Sequence, residues 1–169
     1  MMTFDDLRQA QVLHNETNDC SVKALAVSGN MAYAKAHKLC TQYGRKARRG
    51  MFGLQIVRML KAEFNATLLD SDQLQRLKKA VGVKNLTVNN LPKALKACGY
   101  GSRNVYAMTC NHALGIRQGE VIDWTDGRRH RIDHVVLMPD VVVAEKPRKK
   151  LRHSYAKRMG LDPKTGQPL

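Results

Sequence analysis

Up to Cys98 the apolar side chains fall three and four residues apart, and beyond Gly101 they gather into short unbroken runs. The first spacing marks the buried face of helices, and short apolar runs between turn residues mark strands. Thr3, with Asp6 three residues on, predicts a capped first helix carried by Leu7, Ala10, Gln11 and Leu13 or His14. A second helix is expected over 19–28, with Asp19 as its cap and Val22, Leu25 and Ala26 on its buried face. Gly29-Asn30 stops it and caps a third, over 31–43, whose stripe is Tyr33, Ala36, His37 and Cys40. A fourth should span 54–64, followed by a short strand over 66–69 and a mostly polar helix over 72–80. Pro92 fits only a first turn, so the last helix starts near Asn90, and Gly99 ends it.

Strands are then expected at 105–108, 113–116, 121–122 and 132–137, with Gln118-Gly119 and Asp126-Gly127 as hairpin turns. Helices followed by an antiparallel sheet make an α+β arrangement. From Glu145 the apolar content collapses. The expected organisation is one domain over 1–144 and a basic C-terminal extension over 145–169.

Composition narrows the partners. The 169 residues are 43% hydrophobic, enough for a sizeable core, so a wholly disordered chain is excluded. The net charge of +15 would attract nucleic acid, an acidic protein surface or an anionic membrane. The charge is clustered at Arg45, Lys46, Arg48 and Arg49, at Arg128, Arg129 and Arg131, and at Lys146, Arg148, Lys149 and Lys150. Each cluster reads either as a solvated connection or as a binding surface for nucleic acid or an acidic protein. Aromatic residues are 5% of the chain, which argues against base stacking along a single strand, and no helix-turn-helix, zinc-finger or RNA-recognition motif is visible. Docking on a duplex by charge alone stays open.

No apolar stretch approaches the roughly 18 residues of a membrane span. The sequence opens on Thr3, Asp5 and Asp6 rather than on a basic and apolar leader, so a reducing, cytoplasmic setting is expected. The four cysteines should then be free thiols.

One of them stands apart. The polar run Asn15-Glu16-Thr17-Asn18-Asp19 leads into Cys20 and then into good helix formers. A thiol in the first turn of a helix meets unpaired N–H groups and the positive end of the dipole, both of which favour the thiolate. The plainer alternative is a small buried hydrophobe, the better reading of Cys40. A second site lies at His112 and Asp123. If the segments around them pair about Arg117 to Gly119, facing residues sum to 235 or 237, and either register leaves both side chains on one face within reach. Asp123 would then orient the imidazole and His112 would take the Cys20 proton; alternatively the two are merely polar strand-end residues. Cys110, His112, His130 and His134 raise the question of zinc, but their spacing is irregular for a metal site, and no metal or other cofactor is expected.

Taken together, Asn18-Asp19-Cys20-Ser21-Val22-Lys23-Ala24-Leu25-Ala26 followed by Tyr33-Ala34-Lys35-Ala36-His37, the loop from Gly44 to Gly50, the segment 87–95, and His112-Ala113-Leu114 with Asp123-Trp124 resemble small papain-like cysteine peptidase domains. Such domains occur in tailed bacteriophages and bacteria and are similar to the bacteriocin-processing peptidases. The resemblance covers about 15–138 in segment order, and its specific parts are the Cys20 and His112 segments. It implies N-terminal helices, with the nucleophile helix packed on a C-terminal antiparallel sheet, and a peptide or protein substrate. In a phage setting the place of action would be the host cytoplasm or the virion. It further implies Cys20 as nucleophile, His112 as general base and Asp123 as the orienting acid. The family's oxyanion glutamine, six residues before the cysteine, is His14 here, which leaves Asn15 or Asn18 as donors beside the Cys20 N–H. The glycine that often follows the cysteine is Ser21.

Overall fold

The structure, a computed structural model, describes residues 1–140; the extension and its Lys146, Arg148, Lys149 and Lys150, together with the domain boundary at 144, lie outside the described residues. The described elements are six helices and five strands in an α+β arrangement. In chain order they are α1 (Phe4–Leu13), α2 (Cys20–Ser28), α3 (Tyr33–Gln42), α4 (Gly53–Phe64), β1 (Thr67–Leu68), α5 (Ser71–Ala80), α6 (Leu91–Ala97), β2 (Val105–Met108), β3 (Ala113–Arg117), β4 (Glu120–Val121) and β5 (His134–Leu137). None of the described helices is long and apolar enough to cross a membrane.

The strands form one antiparallel sheet in the order β1-β5-β2-β3-β4. Both faces of its centre are covered. Tyr106, Met108, Ala113 and Val136 pack into a core with α1 to α4, while Val105, Ala107, Leu114, Ile116, Val135 and Leu137 pack into a second core with α5 and α6. A strand buried on both sides needs apolar residues at every position, which is why β2 reads as the unbroken run Val105-Tyr106-Ala107-Met108.

Helix α2 is the axis of the first core. Val22, Leu25, Ala26 and Val27 are all fully buried, each contributing about 1.5–3 kcal/mol for a side chain of that kind, less for the alanine. It lies directly on β3, and Gly115 makes that possible: a Cβ there would run into the Val27 side chain and stand 2.8 Å from the Ala24 carbonyl oxygen. A glycine inside a strand is the sequence sign of such a close approach. Tyr106, which pairs with Gly115 across β2 and β3, donates its hydroxyl to the Ser21 carbonyl at 3.3 Å and so fixes the first turn of α2.

Three expectations need correction. The third helix starts at Tyr33 rather than Met31, because residues 30–32 continue the connection and Ala32 stands at the N-cap. Asp126-Gly127 is not a hairpin turn: β4 pairs only with β3, and β5 inserts between β1 and β2. Asp19 stands at the N-cap of α2, but its side chain makes no cap hydrogen bond. Its Oδ2 accepts from the Tyr33 hydroxyl at 2.7 Å, and its Oδ1 pairs with Lys23 at 3.1 Å.

Candidate active site

The chain reverses between β2 and β3 through a four-residue loop closed by the Met108–Ala113 pair. Thr109 shapes it, its N–H donating to the His112 carbonyl at 2.8 Å and its hydroxyl accepting from the His112 N–H at 3.0 Å. That loop sets His112 at the mouth of β3, beside the start of α2. The next hairpin, β3 to β4, turns on Gln118 and Gly119, both at positive φ (50° and 83°), as a two-residue primed turn requires. Its register is the one in which facing residues sum to 237, Ile116 with Val121 and Arg117 with Glu120. Asp123 therefore stands one diagonal step from His112 on the same face.

The two side chains meet: His112 Nε2 lies 2.9 Å from Asp123 Oδ2. Asp123 is almost completely buried and is itself held by Thr125, whose N–H donates to Oδ2 at 3.0 Å and whose hydroxyl donates to the same oxygen. With Nε2 engaged, Nδ1 is the nitrogen left to hydrogen-bond Cys20, the first residue of α2. Trp124 lies tilted against the imidazole, ring centroids 5.3 Å apart, and is half exposed.

The electrostatics follow from that line of three. At Cys20 burial works against the thiolate. Hydrogen bonds from His112 and from the Ala113 N–H, the charge of His112 and the Ser21 N–H together outweigh it and hold the thiol below its ordinary value. At His112 burial again opposes the charge, and hydrogen bonds to Asp123 and Cys20 overcome it, raising the imidazole from 6.5 to about 9. Both shifts come from the same contact between sulfur and imidazole, and each favours the charged form of its group.

Two cavities open on either side of this pair and share Cys20, Gly50, Asn111 and His112. One, of about 330 Å³, has Met51, Ile56, Met108 and Ala113 in its walls, with Asp133 and His134. The other, of about 400 Å³, includes Asn18, Asp19, Lys23, Asp123 and Trp124.

Sequence reasoning missed the network behind Cys20. Glu16, buried, takes two bonds from Arg45 at 3.1 and 2.9 Å, the Arg48 N–H at 2.9 Å and the His37 ring at 2.6 Å. Arg45 above all holds its carboxyl well below the usual carboxylate range, against burial, with help from His37 and Arg48. Arg45 is thus not part of a basic surface, as its cluster suggested; it is a buried ion-pair partner, 3% exposed. The pair ties the segment before Cys20 to the loop that carries Gly50 and Met51 into the cleft. A lone Glu inside a polar run and one Arg among several carry no mark of this in sequence.

The other predicted residues fall as follows. Lys46, Arg48 and Arg49 are exposed on the loop before Gly50, and Arg128, Arg129 and Arg131 are exposed beyond Trp124, with the Arg128 guanidinium 5.4 Å from the Trp124 ring centroid. Asn15 lines neither cavity, and its carbonyl accepts from Arg48 Nε at 3.2 Å. Asn18 lines the Trp124 side, but its amide nitrogen donates to the Arg48 carbonyl at 3.3 Å. His14 stacks on His37, lies tilted against Tyr33, and lines neither cavity. Cys40 is sealed in the core and burial pushes its thiol up to about 12. Among the described residues no group of three or more His, Cys, Asp or Glu side chains is gathered as metal ligands would be. No family model, curated protein or solved structure matches this chain.

Proposed function

We propose that the chain is a papain-like cysteine peptidase or amidase. The observation that carries this reading is the line Cys20–His112–Asp123, with the sulfur at a helix start and on the wall of an open cleft. Cys20 Sγ attacks the substrate carbonyl carbon, forming a C–S bond. The carbonyl electrons move to oxygen, where the uncapped start of α2, with the Cys20 N–H, offers positive charge. As the tetrahedral species collapses the C–N bond breaks, and His112 gives its proton to the leaving amine. Water then attacks the thioester, His112 takes its proton, and the C–S bond breaks to release the acid and return the thiolate. Asp123 orients the imidazole and stabilises its charge throughout. On this reading the backbone takes the oxyanion; Asn18, which lines the Trp124-side cavity with Cys20, is the nearer of the two asparagine candidates.

The test is alkylation with a thiol-directed electrophile, read site by site in the native protein, in Cys20→Ala and in His112→Ala. The reading requires Cys20 to react far faster than Cys40 or Cys98, and to slow when His112 is removed. Equal rates, or rates indifferent to His112, would sink it.

A second reading is a binding protein on the same fold that docks on nucleic acid or an acidic protein. It is favoured by the exposed Lys46, Arg48 and Arg49 next to Gly50 and by Arg128, Arg129 and Arg131 next to Trp124. Salt-sensitive retention on DNA that survives Cys20→Ala, with Cys20 no more reactive than the other thiols, would select it.

A further inference from the structure

We propose that the cavity on the Met51 side of Cys20 is a subsite for a long basic side chain, lysine or arginine, of the polypeptide being cleaved, and that Asp133 selects it; this rests on the hydrolase reading above. Cys20 is part of its lining, so on the hydrolase reading a side chain seated there belongs to a residue near the scissile bond. Its apolar walls, Met51, Ile56, Met108 and Ala113, suit a methylene stem, and its 330 Å³ is of the size that binds a small group. Asp133 is the only carboxylate among its lining residues; the other titratable groups there are Cys20, Cys110, His112 and His134.

The acids of the cleft differ in what already occupies them. On the Trp124 side Asp19 is taken up by Tyr33 and Lys23, and Asp123 by His112 and Thr125, each with its side chain 3% exposed. Asp133 is anchored through its backbone, whose N–H donates to the Met108 carbonyl at 2.8 Å, while among the described residues its carboxylate meets only Arg131, at 3.4 Å. That guanidinium is 71% exposed, and a pair of this kind is weak, so a substrate ammonium or guanidinium replaces it at little cost. In a molecule of net charge +15 cations are repelled at long range, which leaves a local carboxylate beside an apolar wall as the place that accepts one.

Double-headed epoxysuccinyl peptides, which carry residues on both sides of the electrophilic carbon, test this without assuming a substrate direction. Probes bearing lysine, norleucine or glutamate next to the warhead are compared by their rate of Cys20 alkylation in the native protein, Asp133→Asn and Asp133→Lys, each normalised to iodoacetamide. The lysine probe should outpace its norleucine isostere by about tenfold in the native protein, the ratio should fall to about one in Asp133→Asn, and glutamate should lead in Asp133→Lys. Equal lysine and norleucine rates in the native protein, or a lysine preference that survives both variants, overturns the proposal. Iodoacetamide has no side chain to seat and reports on the sulfur alone. Slow alkylation of Cys20 by it overturns the hydrolase reading and this inference together, whereas fast alkylation with no preference among the peptides overturns this inference alone.

Discussion

Cys20 and Cys40 carry the same side chain on neighbouring helices of the same core, yet the protein treats them as different chemical groups. Cys20 opens α2, with the N–H groups of Ser21 and Ala113 and the His112 imidazole turned toward its sulfur, and its thiol is lowered. Cys40 lies near the end of α3, has no exposed surface, and is raised to about 12 by burial. Desolvation acts on both. The difference is whether hydrogen-bond donors and a positive charge converge on the sulfur, and that depends on which end of a helix it occupies and what packs there. Arg45 joins the two regions: its guanidinium holds Glu16 ahead of Cys20, and its N–H donates to the Cys40 carbonyl at 3.0 Å.

The comparison breaks most completely if the wrong cysteine is the reactive one. Cys20→Ala should abolish peptide or amide hydrolysis, a loss of at least about 10³-fold, while Cys40→Ala should keep it and lower stability in urea by about 1 kcal/mol. Hydrolysis that tolerates the first substitution and not the second would invert the assignment.

Asp123→Asn removes the carboxylate that raises His112 and should reduce turnover by about 10²–10⁴-fold. The pH dependence sharpens the same point. His112 is raised in the folded state, so the stability its pairing contributes is complete below the ordinary imidazole value of 6.5 and is lost as pH rises through about 9. The alkaline limb of the activity profile should accordingly lie near pH 9 in the native protein and move to lower pH in Asp123→Asn. A limb that stays in place would show that the pair does not set it.

Arg45→Met leaves Glu16 buried without its main partner and should destabilise the fold by about 3–5 kcal/mol in urea unfolding. Pairing it with Glu16→Gln should restore part of that loss, and an unchanged midpoint in the single variant would deny the ion pair its role. A smaller loss than that of Arg45→Met is expected at Gly115→Ala. The added methyl would stand 2.4 Å from the Val27 Cβ and 2.8 Å from the Ala24 carbonyl oxygen, so α2 must shift off β3, at the upper end of about 1–3 kcal/mol, and Cys20 alkylation should slow while Cys40 stays protected.

What the sequence determined by itself is what short-range chemistry controls. The Thr3–Asp6 capping box, the start of α6 with Pro92 in its first turn, the Gln118-Gly119 turn and the helix that begins at Cys20 all follow from a few adjacent residues. The same short hairpin narrowed the His112–Asp123 pairing to two registers, both with the side chains on one face, and the structure takes the one whose facing residues sum to 237. Sequence did not disclose that Arg45 is buried on Glu16, that Asp19 turns from its cap toward Tyr33 and Lys23, or that β5 enters between β1 and β2 in place of a second hairpin. Each of these joins residues distant along the chain, and which distant groups share a desolvated volume is set by how the layers pack, through contacts such as Gly115 against α2. A charged residue reads the same in sequence whether it ends in solvent or in the core; the tertiary structure alone decided that Arg45 is a strut and Cys20 a meeting point.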